Sequence, residues 1–304
     1  MKPGLLNYIL LFLAAAFWAA NFHLAVPALQ HAPPLVIATV RYTIALLLLA
    51  GLLLYARSFP WRQMMKDWAG IVGVAIFGVF LFNFTYFKGM QTTLPVNASL
   101  IMALNPVTTI LLSGIILKTQ LVRNQLLGAA ISLTGVVIVI TRADWDRLIN
   151  LSFTEGDLWI LGTNFCFAMN HVLVKKYLTN LSPVVATMAT SLVGLFFFLL
   201  VATPEIVATD FPALPAAFWV PVGIIGALGT TGAYIFWNRG IVAIGPEKSA
   251  LFINIVPVLV AVYALLLGSS LTLPQVIGGL GVLTGIFVAQ QRRNKVQKVK
   301  AVGK

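Results

Sequence analysis

Ten apolar windows follow one another along this chain, near residues 5–23, 35–56, 68–87, 96–117, 124–141, 158–174, 184–202, 216–238, 249–268 and 273–291. Windows of about 18–23 residues are long enough for a helix to cross ~30 Å of hydrocarbon. Backbone surrounded by lipid must satisfy its own N–H and C=O groups, so spans of this length form helices. The chain is 60% hydrophobic and only 9% charged, with a mean hydropathy of +0.95. A soluble domain carries about 25% charged residues, so water cannot be the main solvent of this surface. The pattern predicts an all-α integral membrane protein with ten transmembrane helices.

The net charge of +12 invites a nucleic-acid reading, but the distribution of the cations opposes it. With a cytoplasmic N-terminus, alternate connections on the inside hold Lys2; Arg57, Arg62, Lys66; Lys118, Arg123; Lys175, Lys176; Arg239, Lys248; and six basic residues from Arg292 to Lys304. That places 16 of the 20 Lys and Arg inside, against Lys88, Arg142 and Arg147 outside and Arg41 within a span. The asymmetry follows the positive-inside rule and puts both termini on the cytoplasmic side of a plasma (inner) membrane, with no nucleic acid as partner. The tail "RRNKVQKVK" reads as a topological anchor beside anionic lipid. Trp61, Trp68, Trp145 and Trp219 lie near span ends and read as interfacial anchors. The single Cys166 forbids an intrachain disulfide, and the first apolar run reads as a retained helix rather than a cleaved signal.

Punctuation residues recur at a fixed offset. Pro95 and Pro106 reappear as Pro246 and Pro257, 151 positions later; Lys88-Gly89 reappears as Arg239-Gly240, and Gly128 as Gly279. Thr134-Gly135 returns as Thr284-Gly285 after a one-residue slip, and "WAAN" (18–21) lies 149 positions before "FAMN" (167–170). Each half contains an odd number of spans, so the second copy must enter the membrane from the opposite face. The expected organisation is a five-helix repeat over 1–143, an inverted copy over 155–291 and a basic cytoplasmic tail over 292–304. Two oppositely oriented copies can exchange conformations and open a central site to either side in turn.

Trp18-Ala19-Ala20-Asn21-Phe22, Pro34, Arg41-Tyr42, Ala98-Ser99-Leu100, Asn105-Pro106-Val107 and Gln125 with Gly128 carry a resemblance that extends over almost the whole chain. Val256-Pro257-Val258 and Gln275 to Gly279 repeat it more weakly. In these motifs the chain resembles the drug/metabolite transporter superfamily, specifically the EamA-type ten-helix exporters. The resemblance implies efflux of small metabolites and looks most like the aromatic amino acid exporters. The family often has glutamate six residues before the glutamine of the fifth and tenth spans; here Thr119 and Ser269 stand there, so no role of that carboxylate is carried over.

An unpaired amide in hydrocarbon costs several kcal/mol and therefore faces a partner, a cavity or a ligand. Asn21, Asn83, Asn105, Asn164, Asn170, Asn238 and Asn254 all fall within spans. Phe17, Trp18 and Asn21 share adjoining faces of one helix, and Phe167, Asn170 and His171 repeat that spacing. Tyr86, beside Asn83, and Trp237, beside Asn238, add rings next to amides. This set is the candidate substrate lining, suited to a ligand with a flat apolar part and a polar end. Interhelical packing is the competing role for each amide. Arg41 either meets a substrate carboxylate or snorkels outward. Lys88 and Arg239 either take part in gates or snorkel at the interface, with snorkelling favoured, and Pro106 and Pro257 are hinges or static kinks. "GIIGALGTTG" and the Gly281/Gly285 pair offer small faces for close helix approach.

No phosphate-binding GxxxxGK[ST] loop, HExxH, GxSxG or metal-spaced Cys/His cluster occurs. The expectation is a non-enzyme without cofactor or metal, a monomer or weak dimer whose partners are a small-molecule substrate and the bilayer. All eight carboxylates fall in loops or at span ends, which disfavours an acidic proton relay and leaves a histidine or water route. Facilitated efflux, or weak coupling through another group, is expected. Carriage of nucleotide sugars or phosphorylated sugars, a channel, or an intramembrane enzyme remain the alternatives.

Overall fold

The computed structural model describes residues 4–55, 61–93, 95–120, 122–141, 143–144, 146, 149, 154–268, 270 and 272–291. Lys2, Arg57, Arg142, Trp145, Arg147, Ser269 and the basic tail from Arg292 lie outside them. Every regular element among the described residues is helical. The helices are α1 (Leu5–Leu29), α2 (Pro34–Tyr55), α3 (Trp61–Lys66), α4 (Trp68–Met90), α5 (Pro95–Ala103), α6 (Asn105–Ile116), α7 (Arg123–Thr141), α8 (Glu155–Tyr177), α9 (Pro183–Ala208), α10 (Ala216–Ile244), α11 (Pro246–Leu266) and α12 (Leu273–Gln290). Eight of them, α1, α2, α4, α7 and α9 to α12, are long and apolar enough to cross a membrane.

The two remaining apolar windows are helical with a physical reason for their difference. The fourth is interrupted at Leu104, just before Pro106, because proline lacks the N–H that would continue the ladder. The sixth is the 23-residue α8, which carries Glu155 and Asp157 in its first turn and Lys175 and Lys176 in its last. These charges complement the helix dipole at each end. Thr154 and Asp157 form a capping box there, with the Thr154 backbone N–H donating to Asp157 Oδ2 at 2.7 Å. The Thr93 hydroxyl donates to the other carboxylate oxygen, fastening the loop after α4 to the start of α8.

Two segments leave the α-register. Ala75–Leu81 within α4 and Ile225–Gly232 within α10 are π-helical, and they occupy matching places in the two halves. A π segment shifts the faces of a helix and is found often at functional sites. Each contains a glycine on which another helix rests, Gly78 and Gly229.

Packing brings α1 against α10 and α11, α8 against α4 and α6, α2 against α9 and α10, and α7 against α12. The last crossing is close enough that a Cβ on Gly128 would lie 2.5 Å from the Gly285 carbonyl oxygen, and one on Gly135 2.6 Å from that of Gly278. Glycine here lets the two backbones touch. The interior mixes apolar side chains such as Leu11, Leu49 and Phe198 with buried Thr, Ser and Asn. Leu54, Ile115, Leu200, Leu266 and Phe287 stay exposed, an apolar outer surface suited to lipid.

Candidate functional site

Three helices, α1, α8 and α10, meet through aromatic rings. Trp18 stands 5.7 Å from Phe167, 4.8 Å from Trp237 and 5.6 Å from Tyr234, measured between ring centroids. Phe82 extends the group from α4, 4.8 Å from Phe167. Phe17 lies beside it, 6.1 Å from Phe236. Trp237 is wholly buried and Phe167 nearly so, so the aromatic lining expected from sequence is packed on itself.

Beyond these rings lies His171, also wholly buried. Its centroid is 4.5 Å from Phe167 and 5.4 Å from Trp237, and its Nδ1 is 3.3 Å from the Thr109 hydroxyl. Thr109 donates to Asn105 Oδ1 at 3.4 Å, and Asn105 Nδ2 donates to the Asn164 carbonyl oxygen at 3.1 Å. Asn164 Nδ2 in turn donates to the Ile101 carbonyl oxygen at 2.6 Å, beside the break at Leu104. His171 Nε2, Trp237 Nε1 and Asn170 Nδ2 are buried with no hydrogen-bond partner.

From Trp18 the contacts lead through Tyr234 and Tyr42 to a cation. Arg41 is half-buried; its Nη2 donates to Asn83 Oδ1, and its guanidinium carbon sits 5.1 Å from the Tyr42 ring. Asn83 is fixed by donating Nδ2 to the Val79 carbonyl oxygen at 2.6 Å. Tyr42 and Tyr234 hydroxyls are 3.4 Å apart, linking the Arg41 neighbourhood to Trp18. Tyr86, half-buried, stacks on Phe82 at 6.5 Å. Among the described residues no carboxylate pairs with Arg41.

A continuous track therefore runs from Arg41 and Asn83 through Tyr42, Tyr234, Trp18, Phe167 and Trp237 to His171, Thr109 and Asn105. Asn21 and Asn170 flank it, resting on Gly229 and Gly78. Asn254 and Asn238 lie apart from it: Asn254 Nδ2 donates to Ser132 Oγ at 3.0 Å, and Asn238 Nδ2 donates to Thr187 Oγ1 at 3.1 Å. Lys88 is exposed, and so is Arg239, whose Nε donates to Asn7 Oδ1 at 3.2 Å. Pro106 opens α6, and Pro257 follows a 3-10 turn over Leu251–Asn254, so both prolines mark irregular backbone. A surface cleft of about 680 Å³ opens elsewhere, where the ends of α1 and α9 meet the 209–215 connection, lined by His31, Glu205 and Asp210.

The sequence does not single out Thr109, and it marks Tyr42 only as a motif neighbour of Arg41, whereas Phe82 and Tyr234 lie in the aromatic–amide fragments 82–87 and 234–238. Nor does it mark Gly78 and Gly229 as the seats of the two flanking asparagines.

The helices, their apolar exterior and the polar-aromatic track define a multi-pass membrane protein. The pattern of the EamA-like transporter family matches residues 5–141 and again 154–290, and the chain belongs to that family. The uncharacterized transporter YyaM of Bacillus subtilis is 30% identical over 282 residues, covering 93% of this chain and 92% of its own. A probable amino-acid metabolite efflux pump of Salmonella typhimurium is 26% identical, covering 91% of this chain and 92% of its own. A Chlamydia muridarum S-adenosylmethionine/S-adenosylhomocysteine transporter is 29% identical over 42% of this chain and 40% of its own. A solved crystal structure shares the fold with a TM-score of 0.77 at 18% identity, over 93% of this chain and 97% of that one. Membrane transport of small metabolites is thus the activity class of this chain.

Proposed function

We propose that this protein exports amphipathic metabolites carrying a ring and a carboxylate, aromatic amino acids foremost, by alternating access. The observation that carries the reading is the track from Arg41 to His171. A cation without a carboxylate partner stands at one end, aromatic faces lie between, and unpartnered polar atoms stand at the other. Aromatic faces accept a ring, and a guanidinium suits a carboxylate. The names of the Salmonella and Chlamydia relatives, both concerned with amino acids or their derivatives, favour the same chemistry.

The transport cycle would use ten spans in two inverted repeats, 1–143 and 155–291. The double family match, the matching π segments and the exchanged contacts Gly128–Gly285 and Gly135–Gly278 all support that arrangement. Pro106 and Pro257 serve as its bending points, and Lys88 and Arg239 stand near opposite faces. The amides of Asn105, Asn164, Asn238 and Asn254 hold helices together around the substrate lining. The protein works as a monomer or weak dimer in the inner membrane with both ends cytoplasmic. Reporter fusions at both termini test that topology.

Proteoliposomes preloaded with unlabelled L-phenylalanine test the function. Saturable counterflow of labelled L-phenylalanine, competed by L-tyrosine and L-tryptophan but not by phosphorylated sugars, is expected. Competition by phosphorylated or nucleotide sugars alone would overturn the substrate class. Non-saturable flux without counterflow would instead favour a channel.

A further inference from the structure

We infer that His171 is a proton-binding site whose occupancy is tied to the opening of the aromatic stack, so that the export cycle proposed above responds to protons through this ring. The hydrogen-bond chain assigns its tautomer. Asn105 Nδ2 faces a carbonyl oxygen, that of Asn164, so Asn105 Oδ1 must be the atom facing Thr109. Giving the Thr109 hydrogen to that oxygen, with Thr109 accepting from His171, is the assignment that leaves the fewest buried polar atoms unpaired. His171 therefore carries its hydrogen on Nδ1, and the lone pair is on Nε2. That atom is buried and has no partner.

A buried acceptor left unpaired is costly and calls for an explanation. Here Phe167 and Trp237 press on the ring and keep water from Nε2 in the packed arrangement. Separating them admits water, through which the Nε2 lone pair takes up a proton from the bulk solvent, giving an imidazolium with one added positive charge. The faces of the two rings can hold that cation. Restoring the packed arrangement would leave the charge without water or a carboxylate, so the proton must first depart. Lower pH thus favours the opened arrangement.

Among the described residues, the groups in contact with the ring are Phe167, Trp237 and Thr109, none of which competes for the proton. Helix α6 contains no titratable group, while α8 contributes Cys166 beside Phe167 and Lys175, whose Nζ donates to the Val242 carbonyl oxygen at 2.7 Å. On α10 stand Tyr234, bound to Tyr42, and the exposed Arg239. On α4 stand Tyr86 and the exposed Lys88. At the start of α11, Glu247 accepts from Thr119 at 3.0 Å and Lys248 donates to the Gln290 carbonyl oxygen at 3.4 Å.

Two measurements in lipid nanodiscs test the site without any transported compound, so their failure is separable from failure of the export reading. Nitrogen-15 NMR of labelled histidine at pH 8 should show a neutral His171 with hydrogen on Nδ1; hydrogen on Nε2 overturns the proposal. Tryptophan fluorescence from pH 8 to pH 4 should change with a midpoint below the ordinary histidine value of about 6.5, because the packed arrangement competes with protonation. His171→Gln should abolish that change and His23→Gln should keep it. A silent wild type, or a response that survives His171→Gln, overturns the proposal. Should His171→Gln fail to assemble, Thr109→Val decides. It removes the acceptor for Nδ1–H, and a shift of the midpoint by half a unit or more is expected; an unchanged midpoint overturns the coupling.

Discussion

The Trp18 indole donates its Nε1–H to the carbonyl oxygen of Gly229 at 3.0 Å, while Asn21, three residues on, rests its amide on the same glycine. The other half has a similar contact of different chemistry. Asn170 rests on Gly78 in the matching π segment, yet Phe167 stands where Trp18 stands and has no hydrogen to donate. The halves are therefore alike in shape and unequal in bonding, with the α1–α10 contact the more firmly held.

The two glycine seats should be sensitive to a single methyl group. A Cβ on Gly229 would overlap the Asn21 amide, and one on Gly78 would overlap that of Asn170. Forced overpacking costs about 1–3 kcal/mol. Gly229→Ala and Gly78→Ala should both lower the thermal unfolding midpoint in detergent and reduce counterflow. Gly223, in the helical run leading to the same π segment, has nothing within 4 Å of its would-be Cβ. Alanine favours a helix over glycine by up to about 1 kcal/mol, so Gly223→Ala should be neutral or stabilising.

Removing the Trp18–Gly229 hydrogen bond should act on transport more than on insertion. Trp18→Phe keeps a ring and loses about 1 kcal/mol of hydrogen bonding. Trp18→Ala and Asn21→Ala remove more of the lining, and each should insert normally while counterflow falls severalfold. Wild-type flux in both alanine variants would make the motif purely structural.

Arg41 should read the carboxylate of the substrate. Asn83 already takes Nη2, and Nε is buried without a partner, so the guanidinium is aimed rather than free. Arg41→Met should raise KM for L-phenylalanine tenfold or more while leaving competition by phenethylamine, which lacks the carboxylate, unchanged. Arg41→Lys should recover only part of the affinity, because an ammonium cannot bridge two acceptors as the planar fork does.

Much of the fold was legible because lipid imposes long apolar helices. Eight windows emerged as helices long and apolar enough to cross a membrane, and the two exceptions sit where Pro106 breaks the ladder and where charges bracket the 23-residue α8. The amides were found as a group, but their partners were not. Asn238 and Asn254 meet hydroxyls 51 and 122 residues away, contacts that no local spacing encodes. The π segments were equally hidden: "GIIGALGTTG" announced small residues but not a register shift. Nor does sequence reveal that the aromatic lining closes on itself, since ring spacing along a helix is the same in packed and opened arrangements.

The α7–α12 crossing offers a test of the paired-repeat arrangement through additivity. Gly128 lies against Gly285, and Gly135 lies against Gly278. Alanine at any of the four positions pushes the backbones apart and should cost about 1–3 kcal/mol, read as a lower unfolding midpoint. Gly128 and Gly285 meet at one contact, so once the first methyl has opened it the second should cost less. The double variant Gly128→Ala/Gly285→Ala should therefore fall clearly short of the sum of its singles. Gly128 and Gly135 stand seven residues apart, about 10 Å by helical rise, and enter different contacts. Their double variant should come within about 0.5 kcal/mol of additive. Additive behaviour at the shared contact, or strong coupling between the separate ones, would contradict the crossing as drawn.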